Sequence, residues 1–180
     1  KGGTDAARFD QEAALLAELR HPGIVRYVAH GITAHGESYI AMEWLSGRTL
    51  SQLIRERGAL DLPLTRKVVT QLCSALSVIH AAGVVHRDIK GSNVMVLDTD
   101  GEPRVKILDF GIAKLVDDTR QKTGTQPLGT PLFMSPEQTD RKGRICPATD
   151  VWALGLIAFQ LLTGKDYWRE EVLAVIKGRG

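Results

Sequence analysis

The residues best suited to chemistry lie in the stretch HRDIKGSN, residues 86–93. Lys90 and Asn93 follow Asp88 at spacings of two and five positions, just before an apolar run. Charged and polar side chains this close together cannot all be buried cheaply unless they have partners. The stretch therefore predicts a binding site for a ligand that itself carries charge.

The composition is that of an ordinary globular domain. The chain has 180 residues, 43% of them apolar and 24% charged, and its net charge of +2 is too small to indicate a nucleic-acid partner. Its longest apolar run, residues 151–159, is less than half of the roughly twenty residues of a membrane span. Cys73 and Cys146 lie far apart, so we expect no disulfide framework and favour a reducing, cytoplasmic location.

Apolar residues at helical spacing, together with end signals, predict the helices that must position this stretch. The predicted helices cover residues 5–20, residues 49–57, the segment from an N-cap at Asp61 to Gly83, the segment from a cap at Thr149 through Leu162 to Gly164, and the last dozen residues.

Two strand pairs are predicted from short apolar runs bounded by turn residues. One hairpin joins residues 24–29 to residues 37–44, and the other joins residues 93–97 to residues 105–108. The second hairpin follows HRDIKGSN and carries the tripeptide DFG, residues 109–111, at its end. Residues 109–137 form a connection too long to be idle in a compact domain, which indicates a functional or disordered segment.

Four motifs occur in a characteristic order: HRDIKGSN, DFG, GTPLFMSPEQ at residues 129–138 and DVWALG at residues 150–155. DFG alone would be a weak signal, but the ordered set resembles a eukaryotic-type (Hanks-type) serine/threonine protein kinase. The resemblance implies an α+β, two-lobed kinase fold with ATP between the lobes. Residues 1–180 would be a partial kinase domain, with a small-lobe remnant at 1–42, a hinge at 43–47 and the helical large lobe at 48–180.

The resemblance also implies a reaction, in which the γ-phosphate of ATP is transferred to serine or threonine hydroxyls of a protein substrate in signalling. Asp88 would accept the proton of the hydroxyl and Lys90 would stabilise the transferred phosphate. Asn93 and Asp109 would hold Mg²⁺, which prefers oxygen ligands. The charges of HRDIKGSN would thus be balanced by phosphate, metal and one another.

Further positions match the nucleotide site of this family. Met42 resembles the gatekeeper, Trp44 lies in the hinge segment, and His21 fixes the position of a helix glutamate nine residues earlier. The residues that the likeness assigns to nucleotide binding are Glu12, Met42, Glu43, Leu45 and Met95. The likeness assigns a regulatory spine above Asp150 to Leu16, Tyr27, His86 and Phe110.

Regulation is implied by the same likeness. Arg87 would pair with a phosphate on the activation segment, for which Thr123 and Thr125 are the best acceptors. Lys90 and Thr130 favour serine/threonine over tyrosine specificity. Phe110, Gly111 and Glu137 would belong to the regulatory elements, with Glu137 as an acidic anchor.

The sequence departs from the family pattern because it shows no glycine-rich loop, no strand lysine and no arginine partner for Glu137. We therefore expect a fragment, inactive by itself, of a bacterial kinase. Asp88, Asn93 and Asp109 are all present, which favours an active parent over a pseudokinase, a nucleotide-binding module or a packing remnant. A P-loop at Gly164 is rejected because Phe159 and Asp166 replace residues that it needs.

Overall fold

The computed structural model describes residues 13–97, 102–108, 131–140 and 143–168. Residues 13–18 are helical, and 3₁₀ turns occur at Gly91–Asn93 and Pro131–Phe133. The strands are β1 (Tyr27–Ile32), β2 (Ser38–Met42), β3 (Gly47–Thr49), β4 (Val94–Leu97) and β5 (Arg104–Ile107). The helices are α1 (Leu50–Arg57), α2 (Leu62–Ala81), α3 (Pro136–Thr139) and α4 (Pro147–Thr163).

Helix α2 forms where the sequence predicts it. The Asp61 side chain accepts a hydrogen bond from the Leu64 amide at 2.8 Å, and Pro63 lies in the first turn. The apolar stripe of the helix is buried against α4 and β5. Its members are Val68, Leu72, Ala75, Leu76 and Ile79. This packing supplies most of the stability of such a helix.

Helix α4 differs from its prediction at one end only. It begins at Pro147 with Cys146 as N-cap, and the Thr149 hydroxyl accepts a hydrogen bond from the Cys146 amide at 3.3 Å. Thr149 is therefore the third helical residue and not the cap that we predicted. Gly164 ends the helix in the left-handed conformation, with φ of 70°, as its position predicts.

The strands form two antiparallel sheets, β1–β2 and β3–β4–β5. The predicted strand at residues 24–29 is wrong in its bounds, since β1 begins at Tyr27. The backbone of the preceding residues pairs instead with β5: Val25 donates to the Ile107 carbonyl at 3.0 Å, and Ile107 donates to the Gly23 carbonyl at 2.9 Å. The apolar run thus divides between two sheets. Strand β3 was not predicted, because GRT has no apolar alternation.

Both cysteines are free thiols, as predicted, with Cys73 exposed and Cys146 half-buried. None of the helices in the described ranges is both long enough and apolar enough to cross a membrane.

An ion pair joins the two sheets. Val105 and Ile107 of β5 are buried in the core, so Lys106 projects to the opposite face. Its ammonium group pairs with the Glu43 carboxylate, which also accepts the Arg26 amide at 2.8 Å. Burial raises the pKa of Glu43, but the hydrogen bonds from Lys106 and Arg26 outweigh it and leave the pKa below its usual value. Glu43 thereby connects the end of β2 to β5.

We predict that Glu43→Gln lowers the free energy of unfolding by about 2 kcal/mol at neutral pH, since it removes charge-assisted hydrogen bonds. The folded pKa lies below the unfolded one, so this contribution is complete above the ordinary value of 4.5 and is lost as the pH falls through the folded pKa. Urea denaturation of both proteins from neutral to acidic pH measures the difference.

Glu56→Gln is the control. Because Glu56 pairs with Arg48 at the surface, this substitution should lower the free energy of unfolding by less than about 1 kcal/mol. If the free energies of unfolding of the wild type and Glu43→Gln differed by the same amount from neutral to acidic pH, the assigned role of the carboxylate would be contradicted.

Candidate active site

The HRDIKGSN stretch connects α2 to β4 and ends in the 3₁₀ turn Gly91–Asn93. The Asn93 amide donates to the Lys90 carbonyl at 2.9 Å, which closes the turn. The Leu108 amide donates to the Asn93 carbonyl at 2.8 Å. The turn is therefore fixed to the residue that immediately precedes the DFG motif. We call residues 86–93 the catalytic loop.

The three predicted catalytic side chains come together in this loop. The Lys90 ammonium lies 2.9 Å from Oδ2 of Asp88, and the Asn93 Nδ2 donates to the same oxygen at 3.0 Å. Nδ2 of Asn93 also donates to the Asp88 carbonyl at 2.9 Å. The Asp88 and Lys90 side chains each keep 19% of their surface exposed, whereas Asn93 is buried. Asp88 is thus an oriented carboxylate that solvent or a ligand can reach.

Both Asn93 hydrogen bonds use the amide nitrogen, which assigns the orientation of the side chain. Its Oδ1 then remains as an oxygen ligand of the kind that Mg²⁺ prefers. In the described ranges, no group of three or more His, Cys, Asp or Glu side chains could hold a metal ion. The predicted metal set needs Asp109, which lies outside those ranges, so Asn93 fits the metal and the full set stays a prediction.

A buried carboxylate holds the beginning of the catalytic loop. Asp150, in the first turn of α4, is 1% exposed and accepts the amides of His86 and Arg87, each at 2.9 Å. The ring of His80 lies 2.7 Å from Oδ2 of Asp150. The partial positive charge of the helix N-terminus also favours a carboxylate there. Asp150 therefore holds the beginning of the catalytic loop in place.

His86 fixes the loop from within. Its Nε2 donates to the Leu108 carbonyl at 2.8 Å, while Nδ1 accepts the Asp88 amide at 3.3 Å. These two bonds assign the neutral ring with its proton on Nε2. His86 is fully buried, so the predicted functional position is also a core position.

Arg87 has a strained backbone. Its φ is +66°, the left-handed region that costs a non-glycine residue roughly 1–2 kcal/mol. Asp150 accepts the amide of Arg87, and Nε2 of Gln138 donates to its carbonyl at 2.8 Å. The main-chain amide and the main-chain carbonyl of Arg87 are therefore both held by side chains from outside the loop.

Glu137 has a partner that was not identified from the sequence. Its Oε1 accepts the Thr149 hydroxyl at 2.7 Å, which lowers the pKa of the carboxyl group. This hydrogen bond joins α3 to α4 through a neutral donor. The Thr149 hydroxyl was assigned only a capping role from the sequence.

A small cavity lies between the catalytic loop and the segment around α3. Its lining includes Arg87 and Asp88 of the loop, Phe133 and Met134 before α3, Gln138 of α3 and Thr149 of α4.

Four of the predicted nucleotide residues lie in the described ranges: Met42, Glu43, Leu45 and Met95. Met95 pairs with Lys106 in the β4–β5 register, so it shares the face on which Lys106 reaches Glu43. Met42 and Leu45 are half-buried against the core. Trp44, in the predicted hinge segment, is 94% exposed.

Several predicted residues lie outside the described residues: Glu12, Asp109, Phe110, Gly111, Thr123, Thr125 and Thr130. Of the predicted spine, Leu16 and His86 are buried and Tyr27 packs against the core. Their stacking stays a prediction.

Two residues that hold the site, His80 and Gln138, could not be identified from the sequence. They lie 70 residues from Asp150 and 51 residues from Arg87, respectively, so neither contact has a local signal. Only the apolar periodicity of α2, which ends beside His80, hinted that this residue lies near the core.

Comparisons with known proteins agree with this geometry. A family profile described as "Protein kinase domain" matches residues 2–177. The serine/threonine-protein kinase pkn3 of Myxococcus xanthus is 40% identical over 163 residues, which cover 88% of this chain and 30% of that protein. The chain thus spans less than a third of this relative.

Solved structures give the same result. The kinase domain of Mycobacterium tuberculosis PknI is 27% identical with a TM-score of 0.70, covering 91% of this chain and 59% of that one. A structure of Rad53 in complex with AMP-PNP is 29% identical with a TM-score of 0.71, covering 88% of this chain and 38% of that one.

The fold, the loop and these matches define an α+β kinase domain, as the motifs predicted. The chain belongs to the protein kinase family, and within it to the Hanks-type serine/threonine class. The bounds of the lobes and hinge stay predictions.

We predict that Asp150→Asn lowers the free energy of unfolding by about 3 kcal/mol. An asparagine would turn an NH₂ group toward donors that need an acceptor, and buried donors would lose their partners. Urea denaturation of the purified variant measures this change.

Asp61→Asn is the matched control, because asparagine caps a helix as well as aspartate does and should change the free energy by less than about 0.5 kcal/mol. Equal stabilities of the two variants would show that Asp150 is not the anchor of the loop.

Proposed function

We propose that the protein is an ATP-dependent serine/threonine protein kinase that acts in signalling. The observation that carries this proposal is the Asp88 carboxylate, which Lys90 and Asn93 orient at 2.9 Å and 3.0 Å and which keeps 19% of its side-chain surface exposed. Phosphoryl transfer needs mainly positioning and charge stabilisation, which such a group of side chains can provide. The names of the relatives support the same activity.

Each loop residue has a task in this reaction. The Asp88 carboxylate accepts the proton of a serine or threonine hydroxyl as the hydroxyl oxygen bonds to the γ-phosphorus. The bond from that phosphorus to the bridging oxygen breaks, and ADP leaves with its electron pair. The Lys90 ammonium, already beside Asp88, offsets negative charge on the transferred group. The product is a phosphorylated protein side chain.

Mg²⁺ would be held by Asn93 and Asp109, and it would neutralise charge on the phosphates. Nucleotide binding would involve Glu12, Met42, Glu43, Leu45 and Met95. Since the Glu43 side chain is engaged by Lys106 and Arg26, its contribution would come from its main chain. The AMP-PNP bound to the structurally similar Rad53 supports an adenine nucleotide as the ligand.

The regulatory assignments extend this proposal. A phosphate on Thr123 or Thr125 would pair with Arg87, whose backbone is already held by Asp150 and Gln138. Phe110, Gly111 and Thr130 would belong to the segment that this pairing orders, with Glu137 anchoring its end. A kinase that draws on ATP for protein signalling would work in the cytoplasm.

The test is transfer of labelled phosphate from Mg²⁺-ATP by the complete gene product, to itself and to a basic protein. We expect phosphoserine or phosphothreonine, and a kcat lowered by about 10²- to 10⁴-fold in Asp88→Asn, because the proton acceptor is lost. Asp61→Asn should retain the full rate, since it makes the same chemical change far from the loop.

Two results would contradict the proposal. A protein that is stabilised by Mg²⁺-ATP in thermal unfolding but transfers no phosphate would be a nucleotide-binding module. An Asp88→Asn variant with an unchanged rate would remove Asp88 from the reaction even if the wild type is active.

A further inference from the structure

We propose that Gln138 is a positioning residue of the catalytic loop, which aims Asp88 by holding the Arg87 carbonyl from α3. This inference rests on the proposed kinase function, because Asp88 must be the group that the contact serves. Gln138 itself touches neither substrate nor nucleotide in this scheme. It acts through the backbone of its neighbour in space.

Both polar atoms of the Gln138 side-chain amide form hydrogen bonds. Nε2 of Gln138 donates to the Arg87 carbonyl at 2.8 Å, and Oε1 accepts the Ser135 amide at 3.0 Å. The Ser135 side chain is fully buried and forms a capping box with Gln138 at the start of α3. The acceptor end thus fixes the side chain, and the donor end faces the loop.

Arg87 is where such a contact has most effect. Its left-handed φ of +66° persists only if the surroundings hold it there. Asp150 holds the amide at 2.9 Å, and Gln138 holds the carbonyl. That carbonyl belongs to the peptide bond that leads into Asp88. Loss of this tether would let the peptide rotate and displace the carboxylate.

Only an amide side chain can do both tasks. A glutamate at position 138 could still accept the Ser135 amide, but its carboxylate would face the Arg87 carbonyl oxygen without a proton to share. A methionine would make neither bond. The variant Q138E therefore separates the capping of α3 from the tether to the loop.

The chain contains a natural control. Gln52 of α1 occupies the same place in another capping box, where its Oε1 accepts the Thr49 amide at 2.7 Å. Gln52 is exposed, and its hydrogen bonds stay within the first turn of α1. Q52E makes the same chemical change in the same local motif, away from Arg87.

The experiment compares Q138E, Q138M and Q52E with the wild type in the complete gene product, by steady-state phosphate transfer. We expect kcat to fall by about 10- to 100-fold in both position-138 variants at an unchanged KM for ATP, because the defect is one of positioning. Q52E should match the wild type. Relative to wild type, Q138E should recover as the pH falls, since a protonated glutamate can donate to the carbonyl, whereas Q138M should not.

Amide hydrogen exchange of Arg87 and Asp88 gives a readout that does not need activity. We expect faster exchange in Q138E and Q138M than in Q52E, with cooperative unfolding retained in all three. Unchanged kcat in Q138E and Q138M, or equal losses in Q138E and Q52E, would overturn the inference. If the wild type transfers no phosphate, the proposed function fails. Amide hydrogen exchange would then test only whether Gln138 holds the loop. Equal exchange rates of Arg87 and Asp88 in all variants would refute that contact.

Discussion

The structure of the site depends on one buried negative charge. Asp150 is 1% exposed, and a carboxylate can be buried at tolerable cost only if donors surround it. Its donors are the main-chain amides of His86 and Arg87, together with the ring of His80 at the end of α2. Because these donors belong to separate elements, satisfying one charge fixes the beginning of the loop against two helices.

A second carboxylate does similar work on the opposite side of the three-stranded sheet. The Glu43 carboxylate pairs with Lys106 of β5 and accepts a hydrogen bond from the Arg26 amide. The segment after β2 is therefore held to the strand that leads toward DFG. Glu43 lies where the likeness to kinases places the hinge. Its side chain is engaged by the scaffold, so in the proposed nucleotide site this segment would contribute its main chain and neighbours such as Met95.

The sequence predicted what is local and what the motifs carry. Helix α2 follows from Asp61, Pro63 and an apolar stripe, and the end of α4 follows from Gly164. The side chains of Asp88, Lys90 and Asn93 come together because all three residues lie in or next to one short turn. Contacts that join distant segments could not be predicted: the backbone pairing of Val25 with β5, the bond from Thr149 to Glu137, and the tether at Gln138. No periodicity or end signal encodes which residue of another element a side chain or backbone group will contact.

The two capping boxes show how a structural motif can acquire a role in the site. At α1 the glutamine and threonine satisfy one another at the surface, and nothing further is required of them. At α3 the same arrangement uses only the oxygen of the Gln138 amide, and the nitrogen reaches the loop. The cap holds the side chain in one rotamer, so the donor reaches Arg87 with little further loss of side-chain entropy. In the proposed scheme, the position of the Asp88 carboxylate therefore depends on Asp150 and Gln138, because these two side chains hold the main chain of Arg87 that precedes it.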